Sequence, residues 1–212
     1  MNRRTAHLAF RAASEILRLG NRRRVIYDKH WLPVRDSLDG SYIFASNHPT
    51  SLDPIYCYDL IHRPVILATE FIFNLPIVGP IFKGLDGISV PIDEHDTRRH
   101  QAYCAALNAL HCGRNLLVAP EGKISPNADH RPKTGIARLS KQSSRPIVPM
   151  GIRHLGRGYT FHLFSNGHRQ RIRFMPFGWT TVRFGAPIYA NGEEPSVVVE
   201  RVMAEIRRLS NI

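Results

Sequence analysis

The run Asn47-His48-Pro49-Thr50-Ser51-Leu52-Asp53-Pro54 is the stretch of this chain best equipped for chemistry. A neutral imidazole can take a proton from a hydroxyl. A carboxylate beside it fixes the tautomer and stabilises the imidazolium that forms. Spacing decides whether His48 and Asp53 can meet. Residues five apart on one helix point about 140° away from each other, at roughly 100° per residue, so the two cannot meet within a single helix. Pro49 disfavours helical geometry at His48, and Pro54 suits the first position of a helix. The spacing therefore predicts a loop that carries His48 and a helix that opens at Asp53. A plain alternative stays open at this point: Asp before Pro is an ordinary N-cap, and His48 an ordinary loop histidine.

The surrounding pattern supplies the elements that must hold this run. Tyr42 to Ala45 reads as a buried strand and residues 55–61 as a helix, so the run is a strand-to-helix loop, where α/β proteins tend to place chemistry. Asp39-Gly40 is a turn signal before that strand. Further strands are expected at 64–68, 88–92 (ended by Pro91), 116–119 and 147–152, and helices at 97–112, 134–143 and 195–210. Residues 157–188 read as two or three strands or hairpins, including 181–184. The 71–83 stretch is too broken for one helix, interrupted by Asn74, Pro76, Gly79 and Pro80; its large apolar residues read as core in preference to a greasy ligand groove. Strands alternating with helices predict an α/β fold, a central mixed sheet flanked by helices.

Residues 3–19 read as an amphipathic helix, with Leu8, Ala12, Ile16 and Leu19 on one stripe and Arg4, Arg11 and Arg18 on another side. Taken alone, such a helix is expected to pack its stripe on the domain; lying in a membrane interface is the alternative. With Arg22-Arg23-Arg24 it forms a basic segment, 1–24, ahead of a domain spanning 25–212.

The 212 residues suffice for one domain with a sizeable core. Formal net charge is +12, so the surface attracts anions: nucleic acid, anionic lipid headgroups, or a phosphorylated substrate or carrier. Cys57, Cys104 and Cys112 form no CxxC pair, which argues against a disulfide framework and fits a reducing compartment. No Cys/His spacing of a metal site appears despite 11 histidines. No secretory signal and no apolar run long enough to span a bilayer is expected.

Four ordered stretches together resemble the glycerolipid acyltransferase family, which includes 1-acylglycerol-3-phosphate acyltransferases. Asn47-His48 and Asp53 look like its NHxxxxD motif. Val90-Pro91-Ile92-Asp93 looks like its second block, Pro120-Glu121-Gly122 with Ser125 its third, and Val148-Pro149 its fourth. Lys133-Thr134-Gly135 resembles the lysine-glycine segment between the last two. Two positions depart from the pattern: Glu94 follows the second block where the family has Arg, and Lys123-Ile124 replace Thr-Arg in the third.

The resemblance implies direct acyl transfer, with His48 and Asp53 catalytic and no Ser or Cys nucleophile. The donor would be an acyl thioester, acyl-CoA or acyl carrier protein, used as co-substrate with no bound cofactor and no metal. The acceptor would be a lysolipid, 1-acylglycerol-3-phosphate or a related lysophospholipid, in phospholipid biosynthesis. Asn47, Glu121, Gly122, Lys123 and Lys133 are the implied substrate-binding residues, and Arg98 or Arg99 could supply a further phosphate contact from the next helix. Backbone N–H groups near Gly122 would serve the oxyanion. Glu94 and Ile124, where guanidinium groups are expected to hold the acceptor phosphate, also open a zwitterionic headgroup. The implied setting is peripheral, on the cytoplasmic face of an anionic membrane, docked by the 3–19 helix and the 71–82 stretch. Two other classes remain open: a catalytically weak basic binding protein and a thioesterase. No recognisable nucleic-acid module is present, so no nucleic-acid partner is expected.

Overall fold

The computed structural model describes residues 1–31, 40–62, 64–124, 131–165 and 167–211. Asp39 of the expected turn and Ser125 of the third block lie outside the described residues. The strands are β1 (Asn21–Tyr27), β2 (Ile43–Ser46), β3 (Pro64–Thr69), β4 (Ile88–Val90), β5 (Asn115–Val118), β6 (Ile147–Leu155), β7 (Tyr159–Ser165), β8 (His168–Phe174) and β9 (Gly178–Phe184). The helices are α1 (Arg3–Gly20), α2 (Asp53–Tyr58), α3 (Glu70–Phe73), α4 (Val78–Gly84), α5 (Arg98–His111), α6 (Gly135–Ser143) and α7 (Pro195–Asn211). Seven strands form one mixed sheet in the order β1-β9-β6-β2-β5-β3-β4, and β7 and β8 form a separate antiparallel hairpin. Within the large sheet every pairing is parallel except that of β6 with β9.

Both faces of this sheet are covered, which is why β2 reads as a continuous apolar run and is buried throughout. Ile43 and Ala45 face a core shared with α5, α6 and α7, through Leu110, Ile136 and Val202 among others. Phe44 faces the opposite core, with Phe10, Tyr58 and Phe82. The same alternation runs along β6: Val148, Met150 and Ile152 join the Phe44 side. Gly151, between them, lets α7 lie directly on the strand, since a Cβ there would come within 2.4 Å of Leu209.

The broken 71–83 stretch becomes two short helices, α3 and α4, whose Phe71, Phe73 and Phe82 are core residues. The central-strand proline is accommodated where the β9 ladder has ended: the Pro149 carbonyl accepts from Gly185 N at 2.9 Å, and no donor is required there.

The amino-terminal helix corrects one expectation. It does not pack its Leu8-Ala12-Ile16-Leu19 stripe on the domain. Ala6, Phe10 and Ser14 are its buried face, while Leu8, Ile16 and Leu19 are 68%, 67% and 88% exposed. Close approach decides this. A Cβ on Gly84 would lie 2.6 Å from that of Ala6, so α1 and α4 meet through their smallest residues. Phe10 then enters the core, its ring 4.7 Å from that of Tyr58 and 6.1 Å from that of Phe82.

Because β2 to β6 run parallel, their carboxyl ends share one edge of the sheet. The loops after β2, β4 and β5 and the end of β6 therefore gather on one rim, the usual binding edge of an open parallel sheet. The packing of α1 gives a direct test. Phe10→Ala should cost about 3–5 kcal/mol of unfolding free energy in urea melts. Ile16→Ser should change it by no more than about 0.5 kcal/mol.

Candidate active site

The loop after β2 is fixed from three sides. Asn47, 8% exposed, donates from Nδ2 to the Ile152 carbonyl at 2.8 Å and accepts the Ile152 N–H on Oδ1 at 2.7 Å. Its amide therefore pins the loop to β6. Ser51 exchanges two bonds with Arg173 at the end of β8: its N–H donates to the Arg173 carbonyl at 2.8 Å, and its Oγ accepts the Arg173 N–H at 3.1 Å. Thr50 closes the turn onto the helix start, its N–H donating to Asp53 Oδ2 at 2.9 Å and its hydroxyl to Asp53 Oδ1 at 2.6 Å.

His48 and Asp53 meet as the spacing requires. The imidazole Nδ1 lies 2.9 Å from Asp53 Oδ2. Asp53 is the first residue of α2, with Pro54 in the first turn. The carboxylate is 3% exposed and the His48 side chain 23% exposed. Nδ1–H donates to the carboxylate, which leaves Nε2, on the more accessible ring, with its lone pair for a hydroxyl proton. Burial alone would raise the Asp53 pKa. Hydrogen bonds and charge from His154 and His48 outweigh it and hold the pKa at about 2.

His154 is the residue the motif reading missed. Its Nε2 lies 2.8 Å from Asp53 Oδ1, and its side chain is 2% exposed. Its Nδ1 lies 2.7 Å from Thr180 Oγ1, and Thr180 is its cross-strand partner on β9. Thr180 donates in turn to Asn21 Oδ1 at 2.7 Å, and Asn21 Nδ2 to the Met175 carbonyl at 3.0 Å. A signal for it did exist. His154 continues the even-numbered, core-facing series of β6, and Thr180 does the same before Val182 and Phe184 on β9.

The remaining expected residues gather at the neighbouring strand ends. Glu121, after β5, is buried at 2% exposure, not an exposed turn residue. Gly122 adopts φ +66°, and its N–H donates to the Ala119 carbonyl at 3.0 Å. That N–H is thus committed to a turn. Lys133 crosses above Gly122, its Cε 3.6 Å from where a Cβ would stand, and its Nζ pairs with Glu94 at 2.8 Å. Lys133 holds the Glu94 carboxyl below its ordinary range, with Arg99 and Lys123 adding to the effect. So the two departures from the family pattern, Glu94 and Lys123, come together with Lys133. Arg98 is occupied by Asp96 and Glu70, and Arg99 donates to the Pro91 carbonyl at 2.9 Å.

No group of His, Cys, Asp and Glu among the described residues is arranged to hold a metal ion. Cys57 is fully buried, and burial pushes its thiol pKa well up, which disqualifies it as a nucleophile. The depressed Asp53 pKa makes stability depend on acid. Its contribution, roughly 2 kcal/mol, is complete above the ordinary value of 3.8 and is lost as pH falls toward about 2. Urea melts across that window should show the loss in wild type and a flatter dependence in Asp53→Asn. That variant should also be about 3–5 kcal/mol less stable at neutral pH, because it removes one partner of a buried charge pair.

No curated protein matches the sequence. The crystal structure of the 1-acyl-sn-glycerophosphate (LPA) acyltransferase PlsC from Thermotoga maritima matches with a TM-score of 0.64 at 18% identity, over 99% of this chain and 83% of that one. At that identity the likeness establishes the fold. The family model described as Acyltransferase matches residues 22–153, which span β1, the His48–Asp53 loop, the Glu121 turn and nearly all of β6. This chain belongs to the acyltransferase family.

Proposed function

We propose that the protein transfers a fatty acyl group from an acyl thioester to the free hydroxyl of a lysolipid, with His48 as general base. The observation that carries this reading is the His48–Asp53 pair, its carboxylate buried and ionised and its imidazole Nε2 bonded to none of the described residues. His48 Nε2 takes the acceptor proton as the oxygen attacks the thioester carbonyl. The tetrahedral intermediate expels the thiolate, which the imidazolium reprotonates. Asp53 stabilises that imidazolium without itself accepting a proton. The step needs no acyl-enzyme: Cys57 is buried, and the Ser51 hydroxyl is bonded to Arg173. Acyl-CoA or acyl carrier protein would supply the thioester, and the basic surface favours both.

The acceptor reading rests on the Glu121–Lys133 rim. The PlsC structural relative is a 1-acyl-sn-glycerophosphate (LPA) acyltransferase, and Lys133, Lys123 and the buried Glu121 suit a glycerol phosphate. The Glu94–Lys133 pair supports a second reading. A headgroup carrying its own cation, such as ethanolamine or choline, would meet Glu94 with that cation and Lys133 with its phosphate. Purified protein beside His48→Ala, given acyl thioesters and a lysolipid panel, decides the chemistry. Wild type should form diacyl product with thiol release, and His48→Ala should lose about 10²–10⁴-fold. Equal rates in both proteins would sink the base assignment, and free fatty acid without acylated lipid would assign a thioesterase. Preference within the panel separates the two headgroup readings.

The proposed site of action is the cytoplasmic face of an anionic membrane. No helix among the described residues is long and apolar enough to cross one. The exposed stripe of α1 supports a surface mode: Leu8, Ile16 and Leu19 stand out of the fold, with Arg4, Arg11 and Arg18 beside them, as in interfacial helices. Of the 71–82 stretch, only Ile77 and Val78 are large exposed hydrophobics. Wild type should co-sediment with vesicles containing anionic lipid at low salt. The triple variant Leu8→Ser, Ile16→Ser, Leu19→Ser should lose at least about tenfold in partitioning at unchanged stability, since each such side chain is worth about 1.5–3 kcal/mol when buried. Undiminished binding by that variant would remove α1 from the docking surface.

A further inference from the structure

We propose that His154 is a resident imidazolium that clamps the back of Asp53 and keeps His48 unprotonated in the resting site. The assignment rests on the direction of each hydrogen bond, and the role assigned to it rests on the base reading of His48 given above.

The chain of bonds has a fixed polarity. A backbone carbonyl can only accept, so the group facing Met175 O must be the Asn21 NH2, 3.0 Å away. That turns Asn21 Oδ1 toward Thr180, whose hydroxyl must donate to it at 2.7 Å. The Thr180 proton is then spent, and Thr180 Oγ1 can only accept from His154 Nδ1, 2.7 Å away. So Nδ1 carries a proton. At the other side of the ring, Nε2 faces Asp53 Oδ1 at 2.8 Å. An ionised carboxylate only accepts, so Nε2 carries a proton too. The Thr50 hydroxyl, 3.4 Å from Nε2, offers no escape, because it already donates to Asp53 Oδ1 at 2.6 Å. Both ring nitrogens are donors, and the ring is a cation. Asn21, Thr180 and the His154 side chain are at most 2% exposed, so water does not compete for these bonds.

The charges around the ring agree. Among the described residues Asp53, at the start of α2, is the only carboxylate bonded to it. Tyr56, also on α2, lies with its ring 5.5 Å away and stays neutral, since burial and the Asp53 charge push its pKa up to about 12. From β9 comes neutral Thr180 and from β1 neutral Asn21. Arg23, opposite Thr180 on β1, has its own carboxylate, Asp59, at 2.6 Å. His48 sits on the far oxygen of Asp53, and Cys57, also on α2, is held neutral by burial and by the Asp53 charge.

Two consequences follow for the base. His154 and Thr50 fix Oδ1, so Oδ2 stays aimed at His48 Nδ1. A standing positive charge behind Asp53 also opposes a second one on His48, so the base stays deprotonated to lower pH. His154 touches no reacting atom and is a positioning residue.

The test reads the cation without relying on activity. In protein labelled with 15N-histidine, the His154 ring, assigned by its absence in His154→Gln, should keep both nitrogens protonated from about pH 5 to 8. A neutral ring at any point in that range overturns the proposal. Thr180→Val, which removes the Nδ1 acceptor, should make the ring titrate within the same range; a ring still doubly protonated there would show that the Asn21–Thr180 chain does not hold the charge. In acyl transfer, His154→Gln keeps a donor to Asp53 and removes the charge. Its kcat/KM should stay within about tenfold of wild type at high pH, while the acidic limb of its pH profile moves up by about 1 pH unit. His154→Leu loses the clamp as well and should fall on the order of 10²-fold in kcat. An acidic limb that stays in place in a folded His154→Gln protein would overturn the electrostatic role. If no acceptor is acylated at all, the function reading fails while the nitrogen spectra still decide the cation.

Discussion

An ionised carboxylate buried at 3% exposure is the constraint around which this fold is assembled. Taking such a charge out of water costs several kcal/mol unless its lone pairs are filled. Asp53 fills them with donors from three sources: His48 and Thr50 from its own loop, and His154 from β6. None of these donors is placed independently. His154 is held by β9 and β1 through Thr180 and Asn21, and the loop is pinned to β6 by Asn47. Removing the carboxylate would leave an imidazolium and a loop hydroxyl without their shared acceptor.

The sheet order explains how one loop can be supported from so far away in sequence. β6 runs parallel to β2 on one side and antiparallel to β9 on the other. It also extends past the end of β2, which stops at Ser46. Its last residues therefore stand behind the His48–Asp53 loop and face β9. The β1-β9-β6 part of the sheet serves the dyad from behind, while β2, β5, β3 and β4 bring the Glu121 turn and the Glu94–Lys133 pair to the front rim. The fourth family block, Val148-Pro149, then has a structural meaning. It is the start of the strand that, five residues beyond Pro149, delivers His154.

What could be read from sequence was whatever local sterics and periodicity decide. Pro49 and Pro54 place His48 before a helix and Asp53 at its start, and the geometry follows. The continuous apolar runs of β2 and β5 announce strands buried on both faces, and Gly113, at φ +71°, ends α5 where its conformational freedom is needed. Long-range pairing was not legible. His154 lies 101 residues from Asp53 and Asn21 lies 159 from Thr180. Each by itself is an unremarkable polar residue in or beside a strand. Glu94 read only as a lost arginine until the fold set it 2.8 Å from Lys133. The face of α1 was misjudged for a different reason. Periodicity finds the greasiest stripe, but the packed stripe is the one whose Ala6 is small enough to let α4 approach.

That choice of face links the amino-terminal helix to the His48–Asp53 loop. At its carboxyl end α1 abuts the β8–β9 connection, for a Cβ on Gly20 would lie 2.7 Å from the Pro176 carbonyl and 2.8 Å from the Phe177 ring. Leu19, Phe177 and Trp179 are all exposed there, and Arg22 lies over Trp179 at 5.3 Å. The hairpin leading into that connection carries exposed Phe161 and Phe164 with Arg169 and Arg171, and its Arg173 backbone holds Ser51 beside His48. Apolar side chains and cations are interleaved on these elements, the composition of surfaces that meet headgroups and acyl chains together. If this is the docking face, the hairpin that meets the lipid is bonded directly to the loop bearing His48. On the proposed reading His48 would then be presented at a fixed depth with respect to the bilayer, as an acceptor anchored by its acyl chain would require.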